Sequence, residues 1–166
     1  MSGCVRLDDD AAISGHGLVT PSRAELACAG RVIGWLSAMI VRVPVFPLKW
    51  FRPAHPIDEE MLHGLAGRTF ASRTPAIVLI LSGLPEDELV RVVAHEVKHV
   101  LDAPQARAGT LTEAQLEARA DGFAAMWKPS LLKALGVAPP KPPRGPSAPE
   151  SLVSRLAPTQ IWGRYR

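Results

Sequence analysis

The chain has 166 residues, is 47% hydrophobic and 21% charged, and carries a formal net charge of +3. These values describe one globular domain large enough to bury a core, and they exclude a chain that is disordered or collagen-like throughout. They also argue against a membrane crossing. The most apolar run, Val32 to Val41, is bracketed by Arg31 and Arg42 and falls short of the roughly twenty residues that a bilayer requires.

The charge is unevenly placed. Residues 137–166 hold seven of the sixteen prolines and five basic residues against Glu150, so they carry +4 and leave −1 for residues 1–136. This division predicts a folded domain over 1–136 and a disordered, Pro-rich basic tail over 137–166. Basic residues confined to a tail do not make a specific nucleic-acid surface, and leave only weak, salt-sensitive contacts with anionic partners. The closing IWGRYR sets Trp162 and Tyr165 among arginines and reads as a frayed end or a short docking peptide. The opening residues lack a basic region followed by an apolar stretch, and Cys4 and Cys28 are the only cysteines, so a reducing cytoplasm is expected.

In chain order, Thr20 is placed to cap a first helix, with Pro21 in its first turn and apolar residues continuing to about Val41. Cys28 lies within it as a small buried thiol. The following VRVPVFPLKWF alternates at Val41, Val43 and Val45, while Pro44 and Pro47 limit it to an edge strand or extended segment. Around DEEMLHGLAG a short helix is expected, ending at Gly64 or Gly67. Pro75 to Gly83, PAIVLILSG, is a compact aliphatic run between breakers and reads as a strand in or near a sheet interior.

A second long helix then opens with Pro85 and the acids Glu86, Asp87 and Glu88, which suit the positive end of a helix dipole. Leu89, Val92, Val93, Val97, Val100 and Leu101 give it an apolar stripe. A loop containing Pro104 and Gly109 is expected next. Thr112 and Gln115 then form a capping-box pattern for a helix lined by Leu116, Ala120, Phe123, Ala124 and Trp127. Pro129 is expected to stop that helix, and SLLKALG to close the fold at Gly136.

The second helix carries HEVKH. His95 and His99 stand at i and i+4, so both imidazoles leave one face and can converge on one ion, and zinc accepts such nitrogens at about 2 Å. Glu96 adjoins the first histidine, where a general base must lie if it is to serve a zinc-activated water without ligating the ion. A catalytic zinc needs a third protein ligand and an open position. Glu117 and Asp121, at i and i+4 on the next helix, offer that ligand and an acceptor that fixes a histidine tautomer, respectively. Other residues compete for these roles. Asp102 shares the face of His99 and is better suited to a supporting or capping role, His55 and His63 lie upstream, and His16 sits in a glycine-flanked loop.

Taken together, AIVLILSG, VVAHEVKHVLD and EARADGFAA resemble the gluzincin type of zincin metallopeptidases, in particular the ImmA/IrrE-like family, over roughly Leu65 to Trp127. The resemblance implies an α+β zincin-like core, with a small sheet packed on the HExxH helix and a ligand-bearing helix after it. It also implies zinc ligands His95, His99 and Glu117, Glu96 as base, Asp121 as the acid behind a ligand, and cytoplasmic action on regulatory proteins such as helix-turn-helix repressors. Many family members have glycine just before the second histidine, where this chain has Lys98, and packing at that turn is expected to differ.

The expected activity is zinc-dependent hydrolysis of a protein or peptide, with zinc lowering the pKa of its water toward about 7 and Glu96 moving the proton. The strand Ala76–Ser82 is expected to pair with an extended substrate. The alternative is a zincin-fold binding protein that sequesters a transcriptional regulator without cutting it.

Overall fold

The computed structural model describes residues 17–40, 42–52 and 66–138. Cys4, His16, His55, His63, the expected short helix before residue 66 and the Pro-rich tail from 139 onward lie outside the described residues. Within them, strands and helices follow as β1 (Gly17–Val19), α1 (Arg23–Met39), β2 (Leu48–Arg52), β3 (Gly67–Phe70), β4 (Ile77–Leu81), α2 (Glu86–Arg107) and α3 (Glu113–Leu135). The class is α+β, with three helices and a small mixed sheet.

The sheet has the order β1-β2-β4-β3, with β2 and β4 parallel and the outer pairs antiparallel. β4 is apolar on both faces because both are covered. Val78 and Ile80 join the main core beneath the helices, while Leu79 packs with Phe51 and Phe70 on the opposite face. The interior position expected for PAIVLILSG is therefore found, but its consequence for substrate differs. Since β2 and β3 occupy both edges of β4, Ala76–Ser82 has no free edge for a peptide to join. The open edge next to α2 belongs, among the described strands, to β3.

Three boundaries differ from those expected. The first helix is capped by Ser22 rather than Thr20, because Ser22 and Glu25 exchange the two bonds of a capping box: Glu25 N–H to Ser22 Oγ at 3.2 Å and Ser22 N–H to Glu25 Oε2 at 2.7 Å. Pro44 and Pro47 precede β2 instead of lying in it, so β2 is free to pair on both sides and is not an edge strand. Gly67 opens β3 rather than closing a helix.

Two prolines expected to break helices are carried inside them. Pro104 lies in the last turns of α2, where the buried Asp102 and Ala103 keep the chain against α3. Pro129 lies between the buried Ala124 and Leu131 of α3, and the edge-on stacking of Trp127 against Trp35 and Phe123 pins the same stretch. Packing on both sides outweighs a local penalty of about 3 kcal/mol. Thr112 and Gln115 form the expected capping box at the start of α3. The helix ends at Gly136, whose φ of 69° admits the left-handed cap, with Val137 N–H bonding Leu132 O at 3.0 Å.

α2 is the central element, packed against α1, α3, β3 and β4. Its apolar stripe faces the main core as expected, and Val90 and Ala94 are buried with it, so the helix is covered around most of its girth. The three acids at its start are also used: Glu86 pairs with Arg31 at 3.1 Å, Asp87 with Lys128 at 3.8 Å and Glu88 with Arg91. No helix among the described residues is long and apolar enough to cross a membrane.

Candidate metal centre

The histidines of HEVKH leave α2 on the side not claimed by its apolar stripe, toward a cleft of about 620 Å³ between β3, α2 and α3. Both are mostly enclosed, with side chains 13% exposed. Their Nε2 atoms lie 3.1 Å apart, and the rings meet edge-on at a centroid distance of 4.8 Å. Burial lowers the pKa of His99, which favours the neutral imidazole that ligates metal.

From α3, Glu117 brings one carboxylate oxygen to 3.4 Å from His95 Nε2 and the other to 3.3 Å from His99 Nε2. Each imidazole thus faces a different oxygen of one carboxylate, and with one atom taken from each residue the three donors lie within 4.8 Å of one another. Bonds of about 2.0–2.1 Å at tetrahedral angles place ligand atoms about 3.3–3.4 Å apart, close to the 3.1 Å between the histidine nitrogens and to the nearest approach of Glu117 to each of them. His95, His99 and Glu117 are the one group of three or more potential ligands found among the described residues.

Asp121, one turn beyond Glu117, lies with Oδ1 3.0 Å from His95 Nδ1. The distance is that of a hydrogen bond, but the direction is not, and the buried Nδ1 otherwise has no hydrogen-bond partner. Asp121 is thus brought beside His95 without bonding it.

Glu96 packs against β3, with 4% of its surface exposed. Thr69 Oγ1 donates to its Oε2 at 2.7 Å. Gly67 forms the floor: a Cβ built there would lie 2.5 Å from Glu96 Oε1 and 2.8 Å from Cγ. Burial pushes the Glu96 carboxyl up to about 7, with the charge of Glu117 adding to the rise and the Thr69 bond opposing it. A carboxyl poised near neutrality can both take and return a proton.

Asp102 does not approach the histidines. It is buried and spans the two helices, accepting from Lys98 Nζ at 2.6 Å and from Arg119 at 2.8 and 3.1 Å. Burial raises its pKa, but these bonds more than offset that and hold it below the ordinary carboxylate range. Lys98 is thereby committed to Asp102 and does not line the cleft.

The parts that Thr69, Gly67 and Arg119 play at the site are not legible in the sequence. A four-residue strand that begins with glycine offers too little alternation to read, and no local pattern links Arg119 to Asp102 across 17 residues. Arg91 and Arg68 also line the cleft, the first bonded to Glu88 at 2.8 Å and the second stacked 5.2 Å from the Phe70 ring centroid. No family model, curated protein or solved structure matches this chain.

Proposed function

We propose that the protein is a zinc-dependent endopeptidase of the gluzincin type, similar to the ImmA/IrrE-like family, acting on a protein or peptide in the cytoplasm. One observation carries the reading: two imidazoles and a carboxylate, groups of the kind zinc prefers, converge with nearest approaches of 3.1–3.4 Å, and a buried carboxyl stands beside them. His95, His99 and Glu117 would hold the metal. Bound there, zinc would activate water and polarise the scissile carbonyl.

The remaining roles belong to the chain itself. Glu96 accepts a proton at its carboxylate and returns it to the leaving amine, and its Thr69 bond and the Gly67 floor keep that carboxylate in one place. Asp121 stands behind His95 and favours one orientation of the ring. An extended substrate would lie along the open edge of β3, where main-chain hydrogen bonds serve many sequences. A helix-turn-helix repressor fits this reading as substrate once a strand of it is unfolded.

The test is zinc-loaded protein incubated with a diverse peptide library, beside Glu96→Gln. Cleavage by the parent, and none by a variant that still holds one zinc, is the expected result. A parent that carries zinc yet leaves every peptide intact would overturn the peptidase reading in favour of a zincin-fold protein that binds a regulator without cutting it.

A further inference from the structure

The third ligand stands on a stretch of helix that has little else to hold it. From Glu113 to Arg119 no residue of α3 is buried, and the first to be so is Ala120. The Glu117 side chain is itself 55% exposed. Apart from the partly buried Leu116 and the approach of Glu117 itself to the histidines, these two turns are joined to α2 by the bidentate pair from Arg119 to Asp102. Asp102 in turn is three residues past His99, and Lys98, which also bonds it, is the immediate neighbour of His99.

We infer that Lys98, Asp102 and Arg119 form a positioning clamp that holds Glu117 against the two histidines. The inference rests on the metal reading above. Asp102 is 4% exposed and planar, and the Arg119 fork meets both its oxygens, so the contact sets the register of the two helices and not only their proximity. Lys98 holds the same carboxylate from the α2 side, which prevents it from turning away. A residue two positions before Arg119 therefore inherits its placement. None of the three touches the metal, and Arg119 is 44% exposed, so its loss need not unfold the protein.

The experiment measures zinc affinity by competition with a chromogenic chelator in the parent, Arg119→Ala, Arg119→Lys and Arg31→Ala. Arg31, about as exposed as Arg119, makes an ion pair with Glu86 outside the cleft lining and serves as the control. Amide hydrogen exchange of the metal-free proteins is followed in parallel. Arg119→Ala should bind zinc at least about tenfold more weakly, the scale on which groups that support metal ligands act, while Arg31→Ala should not change. Arg119→Lys, which keeps the charge but loses the fork, should fall between. Exchange in Arg119→Ala should quicken over residues 113–119 and stay unchanged over 120–135. Equal affinity in Arg119→Ala and the parent would overturn the clamp while leaving the metal reading intact, as would faster exchange spread evenly along the chain. A parent that binds no zinc would overturn both.

Discussion

Replacing Gly67 with alanine tests how tightly β3 holds the proposed base. The added Cβ would lie 2.5 Å from Glu96 Oε1, 2.8 Å from Cγ and 2.9 Å from Cδ. Ordinary contact begins near 3.4 Å, so the carboxylate must retreat by about 0.9 Å or the strand must move by a similar amount. Neither is free: Glu96 is buried and bonded to Thr69, and Gly67 is paired with Ile80 in the sheet. Overpacking of this kind costs about 1–3 kcal/mol, and a reacting group misplaced by about 1 Å can lose about a hundredfold in rate. Gly67→Ala should therefore melt several degrees lower and cleave library peptides about a hundredfold more slowly while retaining one zinc, since Gly67 touches no ligand. Adding Glu96→Asp, one methylene shorter, should recover stability but not activity. Unchanged melting and activity in Gly67→Ala, or strictly additive effects in the double variant, would refute the packing argument.

Three further outcomes follow from the same structure. Glu117→Ala should lose most bound zinc and remain folded, because the side chain is exposed; unchanged occupancy measured by mass spectrometry would place the third ligand elsewhere. Asp102→Asn should destabilise by about 3 kcal/mol in a denaturant titration, because it leaves Lys98 without its charge partner at a nearly closed interface; a loss below about 0.5 kcal/mol would mean the pair is solvated. Burial works against the Glu25 carboxylate, but bonds from Gly83 N–H, Ser22 and Ser82 outweigh it and lower its pKa from 4.5 to about 2. Its folded pKa being depressed, its contribution is complete above about pH 4.5 and disappears as pH falls toward 2. Glu25→Gln should flatten the stability curve across that window, and an unchanged acid slope would contradict the assignment.

What could be read in the sequence was what depends on near neighbours. The i, i+4 spacing of His95 and His99, and of Glu117 and Asp121, decides which face each pair shares before any tertiary structure exists. The Thr112–Gln115 cap and the aliphatic run of β4 are legible for the same reason. Ser22 was equally available, with Glu25 three residues later, but Pro21 drew attention to the residue before it.

The parts that were not legible depend on distant partners. Pro104 and Pro129 are local breakers, and only the packing of Asp102, Ala103, Ala124 and Leu131 on neighbouring elements keeps their helices continuous. Thr69 meets Glu96 across 27 residues, from a strand whose identity rests on its pairing with β4 and not on its own four residues. Asp102 looked like an accessory to His99 because it shares a helix face with it, yet Arg119 on α3 claims it. The open sheet edge beside α2 is that of β3 and not of β4, because strand order cannot be read from a strand's own composition.

The central claim is that His95, His99 and Glu117 hold one metal ion. The most direct test is metal content by mass spectrometry on protein purified without added metal, alongside His99→Ala. About one zinc per chain in the parent and little in the variant is the result expected from two imidazoles and a carboxylate whose nearest approaches are 3.1–3.4 Å. A folded parent that holds no metal and takes up none when zinc is supplied would contradict it, and would leave HEVKH as a polar face turned toward a cleft.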